Sequence, residues 1–230
     1  MIEIKQKLTP YNFTRMYNKQ NEYIVIHFVG GVSTAKNNAD YFANNKLQSS
    51  ANYFADETEI WQSVEDGDKA WHCGGGLQGE NGHAFYGICT NSNSIGVEMC
   101  VKKDNAGKWY FEEKTVQNTV ELVKMLMKKH NIPIGKVIRH YDVTGKICPA
   151  PYIDETEWKR FKDRIVGDNK MEDCKFEDIK GHYAEKQIKD LYRMGIINGV
   201  DAAHFAPDEP IKRADVAIIA RNVIRYITGK

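Results

Sequence analysis

The sequence lacks a long apolar run, an excess of charge of either sign, and the closely spaced cysteine pairs of small metal-binding domains. No segment approaches the roughly 20 apolar residues that a membrane-spanning helix needs. The 32 basic and 31 acidic side chains give a net charge of +1. Nucleic-acid-binding proteins usually carry a basic footprint, which is missing here. We therefore expect neither a membrane span nor a nucleic-acid partner.

The first residues, MIEIKQKLTPYN, also lack the basic-then-apolar pattern of a secretory signal. Five cysteines are present, and an odd number cannot pair completely within one chain. We interpret four of them as free thiols of a chain made in a reducing cytoplasm: Cys73, Cys89, Cys100 and Cys174. These features predict synthesis in the cytoplasm without a signal peptide.

The apolar content of 42% is enough for a packed core. Runs rich in β-branched and aromatic residues predict buried strands at 23–29 and 94–101. Shorter strands are predicted at 51–55, at 59–64 and at Val137–Ile138, and short helices at 37–45 and 154–165. Residues 73–93 contain six glycines and predict a long loop, and loops of this length are often functional.

The clearest helix is predicted at 114–130, where four apolar residues form one stripe: Val116, Val120, Val123 and Met127. Asn131 and Pro133 end it. Strands and helices alternate along residues 1–165, so this part predicts an α/β domain with a mixed central sheet flanked by helices. The polar residues 166–173 predict a linker.

Residues 174–230 form a different, mostly helical pattern. Apolar residues predict one helix that ends near Gly195, which suits the left-handed position after a helix. A second helix is predicted from a stripe of five apolar residues: Val216, Ile219, Ala220, Val223 and Ile227. A turn-rich segment, NGVDAAHFAPDEP, connects the two helices.

Three residues are candidate metal ligands. His27 ends a buried strand, and His140 precedes Cys148 by eight residues. Imidazole nitrogen and thiolate sulfur are ligands that zinc favours, and a catalytic zinc keeps three protein ligands and one open position. The spacing alone leaves the alternatives open: a core histidine, a surface histidine and a small buried thiol.

Four blocks occur in the order YIVIH (23–27), AWH (70–72), SIGVE (94–98) and HYDVTGKICP (140–149). Together they resemble the zinc-dependent N-acetylmuramoyl-L-alanine amidases of type 2, a family of phage endolysins, bacterial autolysins and catalytic peptidoglycan-recognition proteins. The resemblance covers about residues 1–165. It implies one zinc per chain, held by His27, His140 and Cys148. It also implies cleavage of the amide between N-acetylmuramic acid and the L-alanine of the stem peptide.

The resemblance also implies catalytic roles for Glu98 and Lys146. Glu98 matches the acid/base of the endolysin branch, and strand alternation directs it away from the side of Ile95 and Val97. Lys146 matches a lysine that stabilises the developing oxyanion. The alternatives are a solvent-facing carboxylate and a solvated surface lysine. A Tyr-His pair of some relatives would fall on residues 51–52, here Ala-Asn, which shifts weight onto Glu98.

Trp71 and His72 match a pair that lines the substrate groove in the family. The alternatives are a core tryptophan and a histidine that makes another polar contact. Asn93 is a weaker candidate for substrate binding, because asparagine is ordinary in turns.

The phrases FEDIKGHYAEKQI, LYRMGIINGV and FAPDEPIKRADVA resemble one S-layer homology repeat. Such repeats bind secondary polymers of Gram-positive cell walls, and the resemblance assigns Arg213 and Tyr183 to wall binding. The alternatives are a surface arginine at a helix start and a ring in the small core. A single repeat buries little core, so this unit could also bind another copy of itself.

The two resemblances imply a peptidoglycan hydrolase in which Glu98 is the general base for a zinc-activated water, joined to a wall-targeting repeat. We expect it to reach the wall after release by a holin or by lysis. The alternative function is a non-catalytic peptidoglycan-recognition or cell-wall-binding protein. The presence of Cys148 favours the enzyme, because members that only recognise peptidoglycan often lack this cysteine.

Overall fold

The computed structural model describes residues 3–166, 174 and 176–228. The chain forms two compact units, one of residues 1–132 and 136–165 and one of residues 133–135 and 166–230. Val166, where the second unit resumes, ends the helix Glu155–Val166 that begins in the first unit, and the rest of the predicted linker, 167–173, lies outside the described residues. No helix within the described residues combines the length and apolarity needed to cross a membrane.

The first unit is built on a mixed sheet. Its strands are β1 (Ile4–Gln6), β2 (Phe13–Thr14), β3 (Tyr23–Val32), β4 (Tyr53–Ala55), β5 (Ile60–Gln62), β6 (Lys69–Ala70), β7 (Ser94–Lys103), β8 (Trp109–Tyr110) and β9 (Val137–Arg139). The main sheet has the order β1-β5-β4-β7-β3-β9, with β8 paired to β7, while β2 and β6 form a separate small sheet. The pairs β4–β5 and β7–β8 are antiparallel, whereas β4–β7, β7–β3 and β3–β9 are parallel.

The described part of this unit has four α-helices: α1 (Ala35–Asn44), α2 (Glu113–His130), α3 (His140–Thr144) and α4 (Glu155–Val166). Helix α1 packs on β4 and β5, and α2 packs on β3, β4 and β7. The predicted mixed sheet flanked by helices is therefore confirmed. The chain between 73 and 93 contains neither helix nor strand, as the glycine content predicts.

Helix boundaries differ from the prediction by one or two residues. Helix α1 begins earlier than expected because the side chain of Thr34 caps it, accepting a hydrogen bond from the backbone N–H of Asn37 at 3.1 Å. Helix α2 ends at its predicted residue, since Asn131 adopts the left-handed conformation with φ 54°.

Strands β3 and β7 lie in the centre of the sheet and are covered on both sides. On one side of β3, Tyr23 and Val25 pack with Cys73, Ile138 and other residues of a buried cluster. The opposite side of the sheet is also covered, because three side chains of β7 that point there are fully buried: Ile95, Val97 and Met99. A side chain that leaves β7 opposite to them therefore enters protein rather than open solvent.

The second unit contains α5 (Glu185–Arg193) and α6 (Arg213–Thr228) around a small core that includes Phe176, Ile179 and Ile188. Gly195 ends α5 with φ 66°, and the N–H of Ile196 reaches back to the carbonyl of Leu191 at 3.0 Å, as in a Schellman motif.

Only part of the predicted stripe of α6 is covered within the described residues. Ile219 and Val223 pack against the small core, whereas Val216 is 48% exposed and Ala220 is also exposed. A unit with two helices of this length offers α6 one packing surface, so the outer part of its apolar stripe stays in contact with solvent.

Candidate functional site

The three predicted metal ligands lie together. His27 belongs to β3, His140 is the first residue of α3, and Cys148 follows the turn after that helix. Their side chains are buried, and one ligand atom from each lies within 4.8 Å of the other two. Sγ of Cys148 is 3.7 Å from Nδ1 of His27, close to the roughly 3.5 Å that separates two ligands of a tetrahedral zinc.

A tight turn brings Cys148 back to His140. Gly145 occupies the left-handed region with φ 79°, and a Cβ at this position would lie 2.1 Å from the carbonyl oxygen of Gln78. The N–H of Tyr141 then donates to the carbonyl of Cys148 at 2.8 Å. Only glycine fits the contact of this turn with the 73–93 loop.

Arg139 immediately precedes α3 and anchors the segment that carries His140. Its buried guanidinium donates to Asp142 and to Glu155, each at 2.7 Å, and to the carbonyl of Tyr152 at 2.9 Å. The pair with Asp142 is largely shielded from solvent, and truncating one partner of such a pair leaves a costly buried charge. The backbone that carries His140 is therefore held rigidly.

Unpartnered polar atoms mark the centre of the site. Neither ring nitrogen of His140 has a hydrogen-bond partner among the described residues, and Oε2 of Glu98 is also buried without one. Buried polar atoms are nearly always satisfied by protein, water or an ion. Lone pairs from His27, His140 and Cys148 around one point are the donor set that zinc prefers, so these residues fit a metal ion.

The protonation of the three candidate ligands agrees with that fit. Burial holds the pKa of His27 well below its usual range, and burial and then the Lys146 charge lower the pKa of His140 to about 4. Both rings are therefore neutral at neutral pH, as metal ligands must be. Burial raises the pKa of the Cys148 thiol to about 12, so a metal ion that binds it displaces its proton.

Glu98 lies on β7 directly across from His27 on β3. Its side chain lines the same cavity as the three candidate ligands, and burial raises its pKa to about 7. Its Oε2 is buried, so this oxygen does not face open solvent. A group with a pKa near neutrality is suited to take up a proton and return it.

The site opens into a cavity of about 410 Å³. Lys146 is exposed and lines this cavity. Its positive charge lowers the pKa values of His27, Glu98, His140 and Cys148. Trp71 also lines it, with its indole N–H donating to the hydroxyl of Thr14 at 3.0 Å. No tyrosine is among the described residues that line this cavity. Asn52 is fully buried away from it, in hydrogen bonds to the backbone.

Two predicted substrate-binding residues make hydrogen bonds within the protein. His72 lines the cavity, but both of its ring nitrogens are engaged, with His27 at 3.1 Å and with Ser94 at 3.2 Å. Asn93 is not among the cavity residues. Its side chain accepts hydrogen bonds from Thr90 and donates to the carbonyl of Ile88, so the structure favours the turn interpretation.

Sequence reasoning missed Ser94 and Gly96. A Cβ at position 96 would lie 2.5 Å from Cγ of His72, so the glycine makes room for that ring. The alternation that directs Glu98 into the site directs Ser94 and Gly96 the same way, and this is the signal that could have found them.

The two residues predicted to bind the wall are both exposed in the second unit. The Tyr183 side chain is 89% exposed, so it does not pack in the small core, and it lines a cavity of about 380 Å³ together with His182 and Lys186. Arg213 is the first residue of α6 and does not line that cavity.

Comparison with known proteins gives the same division. Residues 17–151 match the family model described as N-acetylmuramoyl-L-alanine amidase, and residues 175–217 match the S-layer homology domain. The chain is 35% identical over 154 residues to the N-acetylmuramoyl-L-alanine amidase CwlL of Bacillus licheniformis, which covers 63% of this chain and 41% of CwlL. It is 27% identical over 194 residues to CwlA of Bacillus subtilis, covering 84% of this chain and 67% of CwlA.

Solved structures agree with the fold. The catalytic domain of XlyA superposes with a TM-score of 0.56 and 30% identity, over 70% of this chain and 97% of that domain. PlyL gives a TM-score of 0.56 and 26% identity, over 71% of this chain and 97% of PlyL. The family match spans more than half of the residues and includes His27, Glu98, His140 and Cys148. The chain therefore belongs to the N-acetylmuramoyl-L-alanine amidase family, with an S-layer homology domain after the amidase domain.

Proposed function

We propose that this chain is a zinc-dependent peptidoglycan amidase. It hydrolyses the amide between the lactyl group of N-acetylmuramic acid and the L-alanine of the stem peptide. The observation that carries the proposal is the convergence of three candidate ligands, an unpartnered carboxylate oxygen and one exposed lysine on a single cavity. The family match gives the substrate class.

His27, His140 and Cys148 would hold the zinc beside the cavity. A bound zinc supplies Lewis-acid chemistry: it polarises the scissile carbonyl and lowers the pKa of water. Oε2 of Glu98 accepts the proton of the attacking water. Because the same oxygen remains beside the reacting centre, it can deliver that proton to the leaving nitrogen of L-alanine.

Lys146 has a separate role in this proposal. Its side chain lines the cavity and is exposed to solvent, so it is available to a substrate carbonyl oxygen that binds there. Negative charge grows on that oxygen as water attacks, and a positioned cation stabilises it more in the transition state than in the substrate. Trp71 offers an aromatic wall for the sugar or the peptide.

The alternative is a protein that binds peptidoglycan without cutting it. The buried, unpartnered Oε2 of Glu98 opposes this alternative, because it lines the same cavity as the three candidate ligands and binding alone does not require a proton acceptor there. Digestion of purified walls separates the two: an amidase releases new free L-alanine amino groups without new reducing sugar ends. Release of reducing ends, or of nothing, by zinc-loaded protein contradicts the proposal.

We further propose that the second unit attaches the enzyme to the wall through a secondary wall polymer, with Arg213 and Tyr183 in contact with it. The exposed apolar residues Val216, Ile218 and Ile224 of α6 also support association with a second copy. The enzyme would be made in the cytoplasm and act on the wall after release by a holin or by lysis. Sedimentation with polymer-stripped and intact walls, and light scattering of the free protein, test these points.

A further inference from the structure

A chain of hydrogen bonds leads from the 73–93 loop into the metal centre. The Ser94 hydroxyl oxygen lies 2.5 Å from the carbonyl oxygen of Thr90 and 3.2 Å from Nε2 of His72. Nδ1 of His72 in turn lies 3.1 Å from Nε2 of His27. The last atom of this series, Nδ1 of His27, faces Sγ of Cys148 at 3.7 Å.

The position of each proton in this series follows from the Thr90 carbonyl at its start. A carbonyl oxygen only accepts, so the Ser94 hydroxyl donates its single proton to Thr90. The contact between Ser94 and His72 must then use a proton on Nε2 of His72. The neutral form of the His72 ring has one N–H, on Nε2 in this arrangement, and the lone pair on its Nδ1 then accepts the Nε2 proton of His27.

The result is a defined tautomer of His27. Its proton is on Nε2, toward His72, and its lone pair is on Nδ1, toward His140 and Cys148. A nearby thiol does not disturb the assignment, because Sγ of Cys73 is 3.8 Å from Ser94 and donates instead to Oδ1 of Asn91 at 3.2 Å.

The surroundings of His72 hold its ring in place. Its backbone N–H donates to Oδ1 of Asn91 at 3.0 Å, and the missing side chain of Gly96 on β7 leaves room for the ring. His72 is 8% exposed and His27 is 2% exposed. Water therefore has little access to either ring as an alternative hydrogen-bond partner.

We propose that His72, held by Ser94, is a positioning residue that fixes the tautomer and orientation of His27 as a metal ligand through Nδ1. This inference rests on the proposed metal site and goes beyond the ligand set itself. It gives His72 a role other than the substrate contact expected from the sequence. Substituting a residue that supports a metal ligand in this way typically weakens metal affinity by about 10- to 100-fold.

The first experiment reads the tautomer directly in the metal-free full chain. Long-range ¹H–¹⁵N correlation spectra distinguish a protonated from an unprotonated ring nitrogen. We expect Nε2 of His27 to carry the proton in the unaltered chain, and this preference to weaken in Ser94→Ala and His72→Phe. Ser92→Ala, which removes a hydroxyl in the same turn but outside the series, should leave it unchanged.

The second experiment measures zinc affinity by competition with a chelating dye. Ser94→Ala and His72→Phe should bind zinc about 10- to 100-fold more weakly, while Ser94→Thr, which keeps the hydroxyl, and Ser92→Ala should match the unaltered chain. At saturating zinc, Ser94→Ala should recover most of its turnover, because all three ligands remain.

The outcomes separate this inference from the proposed function. A proton on Nδ1 of His27 in the unaltered metal-free chain, or unchanged affinity in both Ser94→Ala and His72→Phe, overturns the role of His72. Zinc binding without wall hydrolysis would instead contradict the proposed activity and leave the tautomer result valid. Should His72→Phe fail to fold, the Ser94→Ala and Ser94→Thr pair decides the question.

Discussion

His27 and Glu98 lie directly opposite each other in the parallel pairing of β3 and β7. Paired strands lie about 4.8 Å apart, so backbone hydrogen bonds set the distance between a proposed metal ligand and the proposed base. Neither residue depends on a loop for its position. The electrophilic and basic parts of the site are therefore built on the most rigid part of the fold.

Replacing Cys148 tests the ligand set. Cys148→Ser should lose stoichiometric zinc and wall hydrolysis, because a hydroxyl is a much poorer zinc ligand than a thiolate at neutral pH. Metal content after gel filtration gives the first readout. Cobalt gives a second, since the thiolate-to-cobalt absorption band of the unaltered chain should disappear.

Cys100→Ser is the matched control. Cys100 is a buried thiol on β7 near the Asn38 amide, outside the candidate ligand set. This variant should keep one zinc per chain and the cobalt–thiolate band. Full zinc and activity in Cys148→Ser would show that the ligand set is wrong.

Glu98→Gln keeps the shape of the side chain and removes the proton acceptor. We expect zinc content to stay at one per chain while turnover falls by roughly 10²- to 10⁴-fold, the usual contribution of general acid–base catalysis. The rate of release of L-alanine amino groups is the measurement. Glu121→Gln on the exposed side of α2 serves as the control, and equal turnover in the two variants would remove Glu98 from the mechanism.

Lys146→Met tests transition-state stabilisation. The change removes the cation and keeps the length of the side chain, so zinc content should be unaffected. We expect kcat to fall by about 10²- to 10³-fold with little change in KM, because the charge acts on an oxyanion that the substrate does not yet carry. A rise in KM at constant kcat would make Lys146 a substrate-binding residue. Lys128→Met controls for loss of a surface charge.

Removing the second unit tests the division of the chain. A protein of residues 1–167 should bind zinc and cut small soluble muropeptides at the rate of the full chain, because the site residues all precede Ile165. On intact walls it should act more slowly, since attachment raises the local concentration of enzyme. Loss of activity on the small substrate as well would place the second unit within the catalytic fold.

Asp66 predicts a pH effect on stability away from the metal centre. Its carboxylate accepts hydrogen bonds from Tyr53, Lys129 and His130 at 2.7 to 2.8 Å. Burial alone would raise its pKa, but these bonds outweigh burial and hold the pKa below the ordinary 3.8. The unfolded chain therefore takes up the proton first as the pH falls. The stability from Asp66 is complete above about pH 5 and is lost as the pH falls through its lowered pKa.

Asp66→Asn should accordingly lower the free energy of unfolding at pH 7 by about 1–3 kcal/mol and flatten its decline between pH 5 and 3. Urea unfolding followed by tryptophan fluorescence measures this in the first unit, which contains all four tryptophans. Asp163→Asn, at an exposed ion pair, should change stability by less than about 1 kcal/mol. Parallel pH profiles for the unaltered chain and Asp66→Asn would contradict the assignment.

The sequence was sufficient to predict elements that depend only on residues close together in the chain. The apolar stripe of α2 and the left-handed Asn131 that ends it are properties of neighbouring residues, and the prediction agrees there to one residue. It was insufficient for the hydrogen-bond partners of His72 and Asn93. Whether a polar side chain faces a ligand or another residue depends on contacts between segments far apart in the chain, such as His72 with His27. Periodicity along one strand does not contain that information.

The side of β7 that holds Ser94, Gly96 and Glu98 makes the site sensitive to a particular kind of genetic change. Side chains alternate along a strand, so inserting or deleting one residue before Ser94 turns all three away together. A point substitution would remove one contribution and leave the others measurable. A single-codon deletion here would instead abolish the base, the support for His72 and the room for its ring at once. Tolerance of small deletions should therefore fall sharply at the start of this strand, even where individual substitutions are accepted.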